Sequence, residues 1–128
     1  MTNRAPGQII LVDDNEHFRI YMSMFLEDEG CSVTAFRCLD DALFHIKSFS
    51  DFSTLLLDYF DNGSAVDGDT LLALRPHLHG ARLILMSACD VQDRLKIEGL
   101  VEKGVVDGFF PKMPDYKTIK DGINKLLI

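Results

Sequence analysis

The chain has 128 residues, with 13 Lys plus Arg against 20 Asp plus Glu, a formal charge of −7. That length supports one ordinary core without metal or disulfide staples, and a hydrophobic content of 47% excludes a disordered chain. The acidic balance excludes a nucleic-acid-coating surface and a polybasic membrane patch, both of which need clustered Lys and Arg. The acids divide into 15 Asp and 5 Glu. Asp favours caps, turns and oxygen-ligand metal sites over helix interiors, so position matters more than the total. Cys31, Cys38 and Cys89 have neither disulfide-framework nor zinc spacing. They are expected to be buried small hydrophobes in a reduced, cytoplasmic chain. Residues 1–7 show no signal-peptide pattern and are expected to form a flexible N-terminus. No apolar run approaches the ~20 residues of a membrane span.

Ile9-Ile10-Leu11-Val12 is a continuous apolar run of the kind buried on both faces of a parallel sheet. It stops at Asp13-Asp14-Asn15. Phe18, Tyr21, Met22 and Phe25 then follow helical spacing, with Gly30 as the terminating residue. Ser32 to Phe36 reads as a second strand. Leu39, Ala42, Leu43 and Ile46 form a second amphipathic helix, with Asp40 and Asp41 in its first turn, where the helix dipole favours acids. Thr54 to Leu57 is a third strand, running into Asp58 and then a polar loop through Asn62-Gly63 and Asp67-Gly68. Leu71, Leu72 and Leu74 mark a short third helix that Pro76 ends or distorts. Arg82 to Ser87 is the fourth strand, Val91 to Lys103 a fourth helix of weak pattern, and Val105 to Phe110 the fifth strand. Tyr116, Ile119, Ile123, Leu126 and Leu127 predict a final helix.

Five strands alternating with five helices predict an α/β fold, a doubly wound five-stranded parallel sheet with helices on both faces and right-handed crossovers. Ligands of such sheets bind beyond the carboxyl ends of the strands. Asp13 and Asp14 stand at the first of those ends, Asp58 at the third, Ser87 at the fourth and Lys112 after the fifth. Three carboxylates and one ammonium leave a local charge of −2, and crowded carboxylates repel unless a cation intervenes. A hard divalent ion such as Mg²⁺, which takes oxygen ligands and sits beside phosphate, suits that set.

In these five positions, in this order, the sequence resembles the receiver domains of bacterial response regulators, and the resemblance covers almost the whole chain. It implies a flavodoxin-like fold in a single domain over 1–128. It also implies a cytoplasmic phosphoacceptor of two-component phosphorelays rather than an enzyme. Asp58 would take the phosphoryl group from a sensor histidine kinase or histidine phosphotransfer protein. Asp13, Asp14, Asp58 and the backbone carbonyl of Phe60 would hold Mg²⁺. Lys112 and Ser87 would contact phosphoryl oxygens, and Ser87 with Phe109 would switch a face built from the fourth helix, fifth strand and fifth helix. That face would bind a downstream protein or a second copy of the chain, with no direct nucleic-acid or membrane partner. As a lone domain, the chain would deliver its output through a partner.

The chain departs from the family at several points. The loop after Asp58 is longer, with Asn62 where Pro is usual. Bulky Phe60 borders the path of attacking water, which predicts slow loss of phosphate. Met113 follows Lys112 where Pro is usual, so any cis bond is expected at Met113–Pro114. Two other classes compete with a phosphorylated switch: a phosphorylation-independent docking module, and a Mg²⁺-dependent phosphohydrolase. The hydrolase reading expects two acids spaced two apart after the first strand, whereas here they adjoin. Flavin binding lacks a phosphate loop after that strand. Asp13 and Asp14 also have a plain reading as caps of the first helix. His77 and His79 read as solvated loop residues.

Overall fold

The computed structural model describes residues 7–48, 52–61, 63–88, 91–112, 120–122 and 124. In chain order, the elements are β1 (Gln8–Val12), α1 (Glu16–Asp28), β2 (Ser32–Phe36), α2 (Leu39–Ser48) and β3 (Thr54–Asp58). A two-stranded ribbon follows, β4 (Phe60–Asp61) with β5 (Ser64–Ala65). Then come α3 (Gly68–Leu74), a 3₁₀ turn (Arg75–Leu78), β6 (Arg82–Ser87), α4 (Val91–Glu102) and β7 (Gly108–Pro111). The main sheet has the order β2-β1-β3-β6-β7, and every pairing in it is parallel.

The apolar runs form strands buried on both faces because alternate side chains enter different cores. Ile10, Val12, Leu55, Leu57, Leu83 and Leu85 join Leu39, Ala42, Ile46, Leu71 and Ile97 beneath α2, α3 and α4. Ile9, Leu11, Leu56, Ile84, Met86 and Phe110 join Met22, Phe25 and Leu26 beneath α1. The two-residue period carries past the strand tips. Asp13, Asp58 and Lys112 follow the register of the α1-side set, and Ser87 follows that of the opposite set. Sheet alternation thus decides which site residues can share a face.

Helix ends follow local chemistry. Asn15 caps α1 by accepting the Phe18 N–H at 2.8 Å, and Asp67 caps α3 by accepting the Thr70 N–H at 2.8 Å. The α1 cap is therefore Asn15, not the acidic pair before it. Gly30, at φ 92°, lies just past α1, where only a residue tolerant of the left-handed region fits easily. Pro76 converts the end of α3 into the 3₁₀ turn, because its nitrogen has no hydrogen to donate.

Several expectations shift. The apolar face of α1 is Met22, Phe25 and Leu26; Tyr21 is 36% exposed. Leu72 of α3 is also exposed. The last sheet strand begins at Gly108 rather than Val105. Val105 and Val106 are still buried, but their backbone N–H groups turn back to Leu100 O, and Asp107 N–H reaches Leu83 O. The loop after Asp58 contains the β4–β5 ribbon, which the sequence reading did not foresee. Gly7 lies so close to Ser53 that an added Cβ would meet its side chain, and residues 1–6 lie outside the described residues. Cys31 and Cys38 are buried as expected, and burial, with Glu29 nearby, pushes the Cys31 thiol up. Cys89, Met113 and the named residues of the final helix lie outside the described residues. Residues 120–122 are helical, and Gly122 approaches Phe110 so closely that an added Cβ would lie 3.1 Å from the Phe110 Cβ.

Candidate functional site

Asp13 follows β1 and is fully buried, while Asp14 beside it is exposed. The Asp13 main chain is fixed by its N–H to Phe36 O at 3.0 Å and by Arg19 Nη1 donating to its carbonyl at 2.8 Å. Its Oδ1 accepts the Asn15 N–H at 2.9 Å. With Asn15 as the cap, neither carboxylate is consumed by α1. Asp58 ends β3, its Oδ1 accepting the Phe60 N–H at 3.3 Å. One ligand atom each from Asp13, Asp14 and Asp58 lies within 4.8 Å of the others.

Lys112 reaches across from the end of β7. Its backbone N–H donates to Ser87 O at 2.8 Å, which ties it to the tip of β6. Its Nζ lies 2.7 Å from Asp13 Oδ2, 3.6 Å from Asp58 Oδ2 and 4.5 Å from the Phe18 ring centroid. The short distance to Asp13 is an ion pair without hydrogen-bond geometry, since Asp13 Oδ2 has no hydrogen-bond partner among the described residues. Ser87 Oγ is likewise buried and without a partner among them. A buried hydroxyl in that state is ready to donate.

Burial and the adjacent Asp13 push the Asp58 carboxyl up to about 6, against the opposing pull of Lys112 and the Phe60 N–H. Three close carboxylates, one of them made costly to ionise, fit a hard divalent cation with mixed carboxylate and water ligands. Phe60 follows as part of the ribbon, its ring edge-on to Tyr59 at 5.0 Å between centroids. Phe109 lies on the α4 side, half-buried, with the Arg94 guanidinium 5.9 Å from its ring centroid. Phe110 fills the α1-side core instead. His77 and His79 are exposed, and neither joins an acidic or metal-ligating cluster among the described residues.

Sequence reasoning missed two neighbours of this site. The helical spacing marks Phe18 only as a packing residue, although it stands on the helix that follows the acidic pair. Asp61 reads from the sequence as loop, yet its Oδ1 accepts the Leu39 N–H at 2.9 Å and so caps α2 from 22 residues away in the chain. Its only signal was an Asp close after a strand-terminal Asp, which cannot identify so distant a partner.

No family model and no curated protein matches the sequence. Solved structures do match in fold. An adenylate cyclase structure from Rhodopirellula baltica shares 23% identity at a TM-score of 0.77, over 94% of this chain and 86% of that one. A response regulator receiver domain from Francisella shares 22% identity at 0.72, over 94% and 96%. A response regulator from Burkholderia pseudomallei, solved with a phosphorylated aspartic acid, a calcium ion and citrate, shares 19% at 0.72, over 94% and 66%. Further matches are likewise response regulators or signal receiver domains. The protein therefore has the flavodoxin-like α/β fold of response regulator receiver domains.

Proposed function

We propose that the protein is a phosphoacceptor switch of bacterial two-component signalling, acting in the cytoplasm and not as a true enzyme. The observation that carries this reading is the convergence of Asp13, Asp14 and Asp58 within 4.8 Å, with Lys112 between two of them. The buried, unpartnered Ser87 hydroxyl stands at the same rim. No described helix is long and apolar enough to cross a membrane.

The donor is a phosphohistidine on a sensor kinase or phosphotransfer protein. An Asp58 carboxylate oxygen attacks the phosphorus, the P–N bond breaks, and the imidazole leaves with the bonding electrons and takes up a proton. The product is an acyl phosphate on Asp58. Asp13, Asp14 and Asp58, with the Phe60 carbonyl, would hold Mg²⁺. The ion supplies positive charge against both the attacking carboxylate and the phosphoryl oxygens. Lys112 meets one phosphoryl oxygen as a point charge. Ser87 donates to another.

Asp58 changes from −1 to roughly −2 on phosphorylation and gains acceptor oxygens. Movement of Ser87 toward them opens space on the α4 side of the sheet. Phe109, on that side and two residues out of step with Ser87 across the β6–β7 register, is the ring that moves there. The switched face includes α4, where Val91 and Leu95 are 74% and 62% exposed. It is the docking surface for a downstream protein or a second copy.

Incubation with Mg²⁺ and acetyl phosphate, read by intact mass, tests the proposal. One added phosphoryl group on the wild type and none on Asp58→Asn is the expected result. No addition with any donor would leave a docking module, and donor turnover without accumulation would indicate a hydrolase.

A further inference from the structure

We infer that Phe18 is a positioning residue for Lys112, its ring holding the ammonium over the gap between Asp13 and Asp58. The inference rests on the phosphoacceptor reading for its purpose and on geometry for its existence. Among the described residues, the Lys112 Nζ has three charged or aromatic partners: Asp13 at 2.7 Å, Asp58 at 3.6 Å and the Phe18 ring centroid at 4.5 Å. The first two are where charge will change. The ring is the neighbour whose character is fixed, because its negative face attracts a cation whatever the state of the acids.

A lysine has four side-chain torsions, and ordering them costs entropy. The carboxylates alone hold Lys112 unevenly, close to Asp13 and looser on Asp58. The half-buried ring limits its swing from the α1 side, while the backbone bond to Ser87 O fixes the other end of the stem. A compact ammonium has no planar fork to orient it, so its aim depends on such walls.

The ring's own position is built into the chain. Phe18 N–H is the group that Asn15 caps, which places Phe18 in the first turn of α1. Arg19, the next residue, donates to the Asp13 carbonyl at 2.8 Å. The segment from Asp13 to Arg19 is therefore tied together by its own hydrogen bonds, and it carries both a carboxylate and the ring that faces the same ammonium. Sheet alternation adds the third element, since Asp13, Asp58 and Lys112 all follow the register of the α1-side residues.

Two readouts test this. In the wild type, ring current shifts the Lys112 Cε methylene resonances upfield of the other lysines. Phe18→Leu returns them to the ordinary lysine position, and Phe18→Tyr keeps them shifted. With Mg²⁺ and acetyl phosphate, Phe18→Leu is phosphorylated roughly fivefold more slowly, and Phe18→Tyr within about twofold of wild type. Replacing Phe18 by mono-, di- and trifluorophenylalanine weakens the ring face at nearly constant shape and slows the reaction in steps. A flat fluorinated series overturns the inference even if Phe18→Leu is slow, because packing alone would then explain the loss. Unshifted Lys112 resonances in the wild type also overturn it. If wild type takes no phosphoryl group at all, the phosphoacceptor reading fails, and the Lys112 shift still decides whether ring and ammonium meet.

Discussion

Two carboxylates at opposite ends of the sheet are treated in opposite ways. Asp107, just before β7, accepts Arg75 Nη1 and the Leu83 N–H, both at 2.8 Å. Burial would raise its pKa, but those partners outweigh burial and hold the carboxyl below its ordinary range. Asp58, at the far end of β3, has one long hydrogen bond, a lysine at 3.6 Å and two acids for neighbours, and it is pushed up to about 6. The first carboxylate fastens the 3₁₀ turn to the start of β6. The second is held in a state that a cation or a phosphoryl group would relieve. Charge alone does not separate the two acids; the count of satisfied partners does.

The comparison breaks most readily by removing each acid in turn. Asp107→Ala strands the Leu83 N–H and frees Arg75. With the ion pair discounted for solvent, the expected loss is about 2 kcal/mol in urea unfolding. Asp58→Asn keeps an acceptor for the Phe60 N–H and removes the repulsion with Asp13. Without metal it should stabilise the fold by about 1 kcal/mol. Equal losses from both variants would show that Asp58 is as well satisfied as Asp107. Metal affinity sharpens the contrast. On the proposed reading, Mg²⁺ would compete with a proton on Asp58, so binding should be at its plateau above pH 7 and about tenfold weaker at pH 5, measured by titration calorimetry. An affinity flat from pH 5 to 7 would sink this account of the site.

The sequence made one half of this comparison legible and concealed the other. Asp13, Asp14 and Asp58 follow unbroken apolar runs, and a strand tip in a parallel sheet is where ligands are met, so period and position sufficed to foresee their convergence. Asp107 carries no such mark. Its partners, Arg75 and Leu83, are distant in sequence and come together only through β6–β7 pairing. The late start of β7 has the same origin, because the turns binding Val105 and Val106 to Leu100 are backbone bonds that no side-chain pattern announces. Asn15 was visible as a cap type but stood beside two acids with equal claim to the role. The β4–β5 ribbon escaped notice because two-residue strands carry no periodicity.

Stability against pH should separate the two carboxylates by sign. Asp58 has a folded pKa above the ordinary 3.8, so its contribution is full below about pH 4 and is lost as pH rises through about 6. Asp107 is depressed, so its contribution is present above 3.8 and is lost as pH falls through its folded value. Metal-free protein should therefore lose roughly 2 kcal/mol between pH 4 and 6.5 relative to Asp58→Asn, measured as the difference in unfolding free energy. A difference that grows in the opposite direction would place the Asp58 pKa below its ordinary value.

The smallest expected effect concerns the ring beside the proposed acceptor. Loss of the phosphoryl group from Asp58 needs water to approach the phosphorus opposite the carboxyl oxygen. Phe60 stands two residues on, half-buried and edge-on to Tyr59, whose N–H is tied to Met86 O at 2.8 Å. The ring is thus braced beside Tyr59, and on the proposed reading it would border that approach and offer water no hydrogen bond. The phosphorylated protein should lose its group over minutes or longer, followed by mass after removal of donor, and Phe60→Asn should speed that loss about threefold by admitting and orienting water. Loss within seconds from the wild type, or no change in Phe60→Asn, would mean that water reaches the phosphorus from another side. If Asp58→Asn takes up no phosphoryl group, as proposed, the rate belongs wholly to that site. It then reports the surroundings of Asp58 in the one state where its missing partners are supplied.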